Sequence, residues 1–240
     1  MWKESFLVAR KKLKILTDVN ILGFILVMIA GWVDTVGVKI FLHERVSFMT
    51  GRAAQIGEWL ARSEYKKLSI IAIIVIAFIS GAGISTRITK KWGLTGGLSF
   101  TGLLLFLSAL MVYTEHVRFV PIAIPFAMGS QNAATSLTAI NRTTHLTGPA
   151  TDIGIRLSMG DWNGAMFWIL RWIAFPIGSF MGYEFIEIAI EHDHLHPALS
   201  LIIPSIIIIL TGVIQKKVFD IPLLEKLECK EHKKEKIDNI

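Results

Sequence analysis

Gly31-Trp32-Val33-Asp34, then Met49-Thr50-Gly51, then Gln55-Ile56-Gly57: this series of short blocks returns later in the chain as Gly129-Ser130-Gln131-Asn132, Leu146-Thr147-Gly148 and Asp152-Ile153-Gly154. Each block recurs at a spacing of 97 or 98 residues, and the register continues outward to Gly81 with Ser85, which returns as Gly178 with Gly182. One spacing held through four blocks marks a duplicated unit. The outer pairs are small-xxx-small steps, which let two membrane helices approach closely.

Around these blocks the chain is strongly apolar. Hydrophobic residues make up 52% of the 240 and charged residues 18%, below the quarter or so usual in soluble domains. Lipid is the expected solvent. The net charge of +6 does not point to nucleic acid, because the basic residues gather outside the apolar runs and no nucleic-acid motif accompanies them. Cys229 is the single cysteine and has no intramolecular partner. The basic N-terminus leads into a long apolar run with no small-residue cleavage site, so it reads as a retained first span rather than a leader.

Six runs are candidates for crossing a membrane: 21–42, 68–86, 94–114, 117–140, 162–190 and 197–215. The second is free of charge, and its 19 residues would cover roughly 28 Å as a helix, close to the hydrocarbon thickness of a bilayer. Continuous rather than alternating hydrophobicity favours helices over barrel strands. Lys3, Arg10, Lys11, Lys12 and Lys14, the turn bearing Arg87, Lys90 and Lys91, and the lysine-rich tail all read as cytoplasmic. Glu187, Glu191 and Asp193 suit the outer face. Residues 43–67 carry Arg45, Arg52, Arg62, Lys66 and Lys67 on that same outer side. A re-entrant or interfacial helix starting near Thr50-Gly51, with Trp59 at the interface, relieves the conflict. The other reading makes 43–67 and 141–162 an extra span in each half.

The expected architecture is therefore an all-α membrane protein of about six transmembrane helices in two inverted three-helix repeats with broken or re-entrant segments. A basic cytoplasmic N-terminus (1–20) precedes the first repeat (21–116), and a basic cytoplasmic tail (216–240) follows the second (117–215). Three spans per copy force the second copy to enter from the opposite face, as in many secondary transporters.

Taken together, Gly31-Trp32-Val33-Asp34, Met49-Thr50-Gly51, Gly129-Ser130-Gln131-Asn132-Ala133 and Thr147-Gly148-Pro149-Ala150-Thr151-Asp152-Ile153-Gly154 resemble the YoaK-like family of bacterial multi-pass inner-membrane proteins (domain of unknown function 1275) over roughly residues 20–215. The resemblance implies about six spans and location in the bacterial inner membrane, with no settled activity. Family members often follow the first Thr-Gly with asparagine, where this chain has Arg52.

Asp34 falls well inside the first span, where a charged carboxylate costs roughly 2.5–3.5 kcal/mol on insertion scales. It reads either as a substrate, ion or proton site or as a carboxylate that locks helix packing. Its repeat counterpart is Asn132, with Gln131 beside it, and the three are expected to face a central polar site. Thr50-Gly51 and Thr147-Gly148 precede short helices, so each pair offers either backbone N–H groups and a hydroxyl to a polar ligand or a plain threonine-capped turn. Asp152 would cap the second of these helices or bind a cation. Arg171, beside Trp168 and Trp172, would pair with Asp34, attract an anion, or snorkel to the cytoplasmic interface. Pro121, Pro125 and Pro204 interrupt their helices.

His192, His194 and His196 are weak metal candidates on the outer face, against the alternative of a solvated loop. No cofactor is called for. No nucleophile elbow, zinc-protease signature, phosphate loop or dinucleotide fingerprint is present, and an enzyme is not expected. The leading expectation is a transporter or channel-like permease for a small solute or ion. The competing one is a non-transporting membrane sensor or scaffold with a packed polar core. Expected partners are the lipid bilayer, that solute, a possible second copy of the chain, and no nucleic acid.

Overall fold

The computed structural model describes the backbone of residues 2–42, 47–191 and 195–224, with side chains for 17–39, 47–191 and 195–224. His192, His194, Arg45 and the tail from Lys226 with Cys229 lie outside the described residues, and the basic side chains ahead of residue 17 are not described. Seven α-helices follow in order: α1 (Trp2–Val36), running into a π-helical turn (Gly37–Leu42), α2 (Met49–Ala61), α3 (Tyr65–Tyr113), α4 (Val120–Ser136), α5 (Thr147–Ser158), α6 (Trp162–Glu191) and α7 (Leu199–Ile214). Among the described residues there is no strand, only an isolated bridge between Thr138 and Leu223. Among the described residues four helical segments are long and apolar enough to cross a membrane: Thr17–Lys39, Tyr65–Tyr113, Trp162–Glu191 and Leu199–Phe219. The chain is an all-helical membrane protein.

At 49 residues, α3 would extend about 74 Å if straight, more than twice the hydrocarbon core of a bilayer. It is not straight. Gly93 has φ 74° and ψ −176°, a region that essentially only glycine adopts, and there the chain reverses. Ser85 Oγ donates to the Ser130 carbonyl at 2.9 Å, and Thr101 Oγ1 lies 2.9 Å from Ser130 Oγ. Residues equally far before and after Gly93 thus meet one residue of α4. The glycine supplies a turn tight enough to bring two apolar limbs together, with Lys90 and Lys91 beside it.

Glycines also set the closest helix crossings. A Cβ on Gly31 would fall 2.1 Å from the Phe175 carbonyl oxygen, and one on Gly178 would fall 1.7 Å from that of Met28. These contacts join α1 to α6. Between α4 and the first limb of α3, a Cβ on Gly129 would fall 2.0 Å from the Phe78 oxygen and one on Gly81 2.0 Å from that of Phe126. Each residue of the first crossing is the repeat counterpart of one in the second. The small-xxx-small steps therefore serve contacts within one chain.

Helix directions follow from the registers. Arg171 Nη2 donates to the Val19 carbonyl midway along α1, and Lys39 in the turn just past its end pairs with Glu187 further along α6, so α1 and α6 run parallel. Trp32 Nε1 donates to the Ser200 carbonyl at 2.8 Å, where α7 begins, and the turn following α7 also packs on α1, so these two run antiparallel. Ser205 Oγ reaches the Gly102 carbonyl while Thr95 Oγ1 reaches that of Gly212, which sets α7 antiparallel to the second limb of α3. That limb runs against α4, since Gly97 adjoins Ala134 and Thr101 adjoins Ser130.

Some expected boundaries move. The apolar run read as 117–140 stops being helical after Ser136: the Leu137 amide still donates to Ala133 O, but the Thr138 amide turns to Thr135 O. Pro121 lies in the first turn of α4, where its missing N–H is harmless, and Pro125 and Pro204 sit within continuous helices. The 13 residues of α2 and 12 of α5 are too few for a full crossing, for which about 20 are needed.

Candidate functional site

Helices α2 and α5 begin at repeat-related positions and open on the same cavity. It has a volume of about 560 Å³, within the range of small-molecule sites. From the first copy it is lined by Asp34, Ser47, Phe48 and Thr50; from the second by Thr144, His145, Leu146 and Thr147; and from α6 by Trp172, Phe175, Pro176 and Ser179. Ser47 and Thr144, Phe48 and His145, and Thr50 and Thr147 are each 97 residues apart. Equivalent residues of the two copies thus meet across one space.

Asp34 is 1% exposed. Its bonds include two at Oδ1, from the Ser47 amide at 3.0 Å and the Ser47 hydroxyl at 2.8 Å. A carboxylate at a helix start is favourably placed against the partial positive charge there, so Asp34 acts as the anion for the approach to α2. Neither helix carries a side-chain cap: Phe48 and Leu146 hold the cap positions, and the threonines fall inside the first turns. The expected threonine caps are not what the structure forms. Amides in a first turn lack intrahelical acceptors, which leaves those of Thr147 and Gly148 directed out of the helix start.

His145, in the connection between α4 and α5, packs at a tilt on the Phe78 ring with centroids 5.9 Å apart. Its pKa is pushed below the ordinary imidazole value by burial first and by the nearby Arg142 charge second. The remaining wall is apolar, chiefly Phe48, Trp172 and Phe175.

A family profile described as "Protein of unknown function (DUF1275)" matches residues 22–214, which takes in both copies and the whole cavity wall. The chain belongs to the DUF1275 family. No curated protein and no solved structure matches it.

In this DUF1275 protein the cavity brings together Asp34, Thr50 and Thr147 from among the residues singled out in the sequence; the others lie outside its lining. Gly51 is in the first turn of α2, where a Cβ would meet the Phe48 ring at 2.2 Å, whereas Gly148 faces open space. Gln131 is buried and donates through Nε2 to Leu26 O at 2.8 Å and Thr143 Oγ1 at 3.2 Å. Asn132 keeps a buried Oδ1 without a partner. Asp152 sits in the second turn of α5 and caps nothing.

Arg171 is fully buried and remote from Asp34: Nη1 donates to Asn20 Oδ1 and Phe167 O, and Nη2 to Val19 O and Ile140 O. Instead of pairing with Asp34 or snorkelling, it ties the early part of α1 to α6 and to the α4–α5 connection. Arg52, where the family resemblance departs, is buried at the start of α2, and its bonds include one to Gln55 Oε1 at 2.6 Å. His196 accepts a bond from the Ala198 amide and packs at a tilt on the Tyr113 ring. Among the described residues no cluster of three metal-ligating side chains occurs.

Ser47, Phe48, Thr144 and His145 were within reach of the sequence, since carrying the repeat register a few residues back from Thr50 and Thr147 pairs them. Phe175, Pro176 and Ser179 gave no such signal. They line the cavity only because the Gly31 and Gly178 crossing draws α6 against α1.

Proposed function

We propose that this chain is a multi-pass inner-membrane permease, without enzymatic activity, that moves a small solute through the cavity between its two copies. The observation carrying this is the meeting of Ser47 with Thr144, Phe48 with His145 and Thr50 with Thr147 around one space beside Asp34. Broken helices whose ends converge on a shared polar centre are the construction by which repeat-built transporters bind a solute within the bilayer.

Helix directions support six crossings in two inverted three-helix units. With the α3 limbs counted separately and α4 included, α1 is antiparallel to α7, α7 to the second limb of α3, and that limb to α4. The first helices of the two copies therefore point opposite ways. The exchanged glycine crossings, Gly31 and Gly178 on one side and Gly129 and Gly81 on the other, are the contacts a two-fold axis between inverted halves generates. Lysines at the Gly93 turn and after α7 favour placing those ends, and both termini, in the cytoplasm.

Uptake by proteoliposomes, screened over organic anions, cations, neutral polar solutes and inorganic ions, tests the proposal. Wild-type protein should carry at least one class. Asp34→Asn should lower that flux, and Ser179→Trp, which fills the cavity from α6, should abolish it. A solute flux equal in wild type and both variants would remove the cavity from the path.

A further inference from the structure

The two copies meet at the cavity with unequal charge, and the inequality indicates what the cavity takes. In the first copy Asp34 supplies a carboxylate that accepts from the amide and hydroxyl of Ser47. In the second copy the counterpart of Ser47 is Thr144, and the counterpart of Asp34 is Asn132, an amide that does not reach the cavity. Thr144 lines the cavity, is 3% exposed, and its hydroxyl has no partner. No acidic residue lies in the first turn of α5 and no side chain caps it. The second copy thus repeats the anion-accepting half of the Asp34–Ser47 arrangement without the anion.

We infer that the carboxylate of a small organic acid completes the second copy, accepting from Thr144 Oγ and the start of α5 as Asp34 accepts from Ser47, with its apolar body against Phe48, Trp172 and Phe175. The charge of Asp34 is already held by Ser47 at the other helix start, so the ligand's negative group is directed to the end of the cavity that lacks one. The aromatic wall disfavours a small inorganic anion, which would lose its hydration there and gain little contact. A body with a flat apolar face fits that wall better than a sugar or a polyol.

The inference rests on the cavity being the solute site, but its test reads binding rather than flux. Purified full-length protein in nanodiscs is titrated with radiolabelled phenylacetate, and phenylacetamide and phenethylamine, which keep the ring and change the polar group, compete for the site. Phenylacetate should bind, with both competitors at least tenfold weaker. Thr144→Val, nearly isosteric, should weaken phenylacetate about tenfold or more, as expected for losing a hydrogen bond to a charged group, while Thr144→Ser should retain it.

No binding of phenylacetate, equal binding of the amide, tighter binding of the amine, or an unchanged affinity in Thr144→Val would each overturn the carboxylate assignment. Carboxylate binding without flux would leave it standing and remove the transport proposal. Flux of a cation or neutral solute with no phenylacetate binding would do the reverse.

Discussion

Alanine at Gly81 and alanine at Gly83, two residues apart on one limb of α3, should move stability in opposite directions. Both substitutions gain helix propensity, up to about 1 kcal/mol relative to glycine. At Gly83 a Cβ meets nothing within 4 Å, so that gain is retained. At Gly81 the new atom would lie 2.0 Å from the Phe126 carbonyl oxygen and 2.8 Å from its carbon. Restoring an ordinary contact near 3.5 Å requires about 1.5 Å of separation, and the obstacle is helix backbone, which cannot rotate away as a side chain can. Overpacking of this kind costs about 1–3 kcal/mol, toward the upper end here because α4 must shift as a unit and lengthen the Ser85–Ser130 bond. The expected net effect is a loss of about 2 kcal/mol for Gly81→Ala and no loss for Gly83→Ala. Circular dichroism of thermal unfolding in a mild detergent measures both, with Gly178→Ala as a third arm, since its Cβ would meet the Met28 oxygen at the equivalent crossing. Gly178→Ala should behave like Gly81→Ala. Equal stability of the Gly81 and Gly83 variants would refute the close-crossing account and the exchange of contacts read from it.

Two further outcomes follow from backbone and charge. Gly93→Ala should cost roughly 1–3 kcal/mol from conformation alone, since no atom lies within 4 Å of the added carbon; an unchanged unfolding midpoint would mean that the α3 reversal is not where the structure puts it. Asp161 accepts from the Gly164 amide at the start of α6 and pairs with Arg156, and these contacts hold its pKa below the ordinary value of 3.8, the amide bond being the larger cause. A carboxyl whose folded pKa is depressed stabilises the fold above its unfolded pKa and loses that contribution as pH falls through the folded value. Asp161→Ala should therefore unfold at a lower temperature than wild type at neutral pH, and the gap should close once the medium is more acidic than the folded pKa; a gap of constant size would contradict this role.

How much of this could be read beforehand depended on whether the signal was local. The apolar runs around Ile74, Leu105 and Ile208 are long and uncharged, the run around Ala174 is long and carries Arg171, Glu184 and Glu187, and all became membrane-length helix because lipid leaves the backbone no other way to satisfy itself. The end of α4 was not legible. Residues 137–140 are as apolar in outline as those before them, and the turn of the Thr138 amide to the Thr135 carbonyl, which closes the helix, leaves no mark in that pattern. The reversal at Gly93 was legible as a turn through its lysines, but not as a single glycine within an otherwise continuous helix. At the cavity, Asp34, Thr50 and Thr147 were found through the repeat, whereas Asn132, although in register with Asp34, lies outside the lining, and the expectation for Gln131 did not allow for rotation about the helix axis. One residue of offset turns a side chain by about 100°, enough to direct Gln131 at Leu26 instead of the cavity.

The departures from symmetry bear most directly on function. A strictly repeated unit would present the same groups to both ends of a space on its axis, and a ligand there could bind either way round. Here Asp34 lines the cavity while its counterpart Asn132 does not, Phe48 is matched by His145, and α6 contributes Trp172 and Phe175 to the wall while Phe78, the counterpart of Phe175, packs at a tilt on His145. The cavity is therefore polarised, with its own carboxylate at one helix start and an unpaired hydroxyl at the other. Polarisation of this kind costs stability, since a buried hydroxyl without a partner loses its hydration with nothing in return. A duplicated fold that needed only to pack would gain by closing Thr144 onto a neighbour, as Ser47 closes onto Asp34. That Thr144 stays unpaired while the glycine-to-backbone contacts at the Gly81 and Gly178 crossings are kept in both copies supports the proposal of a site for an external group over a sealed polar core.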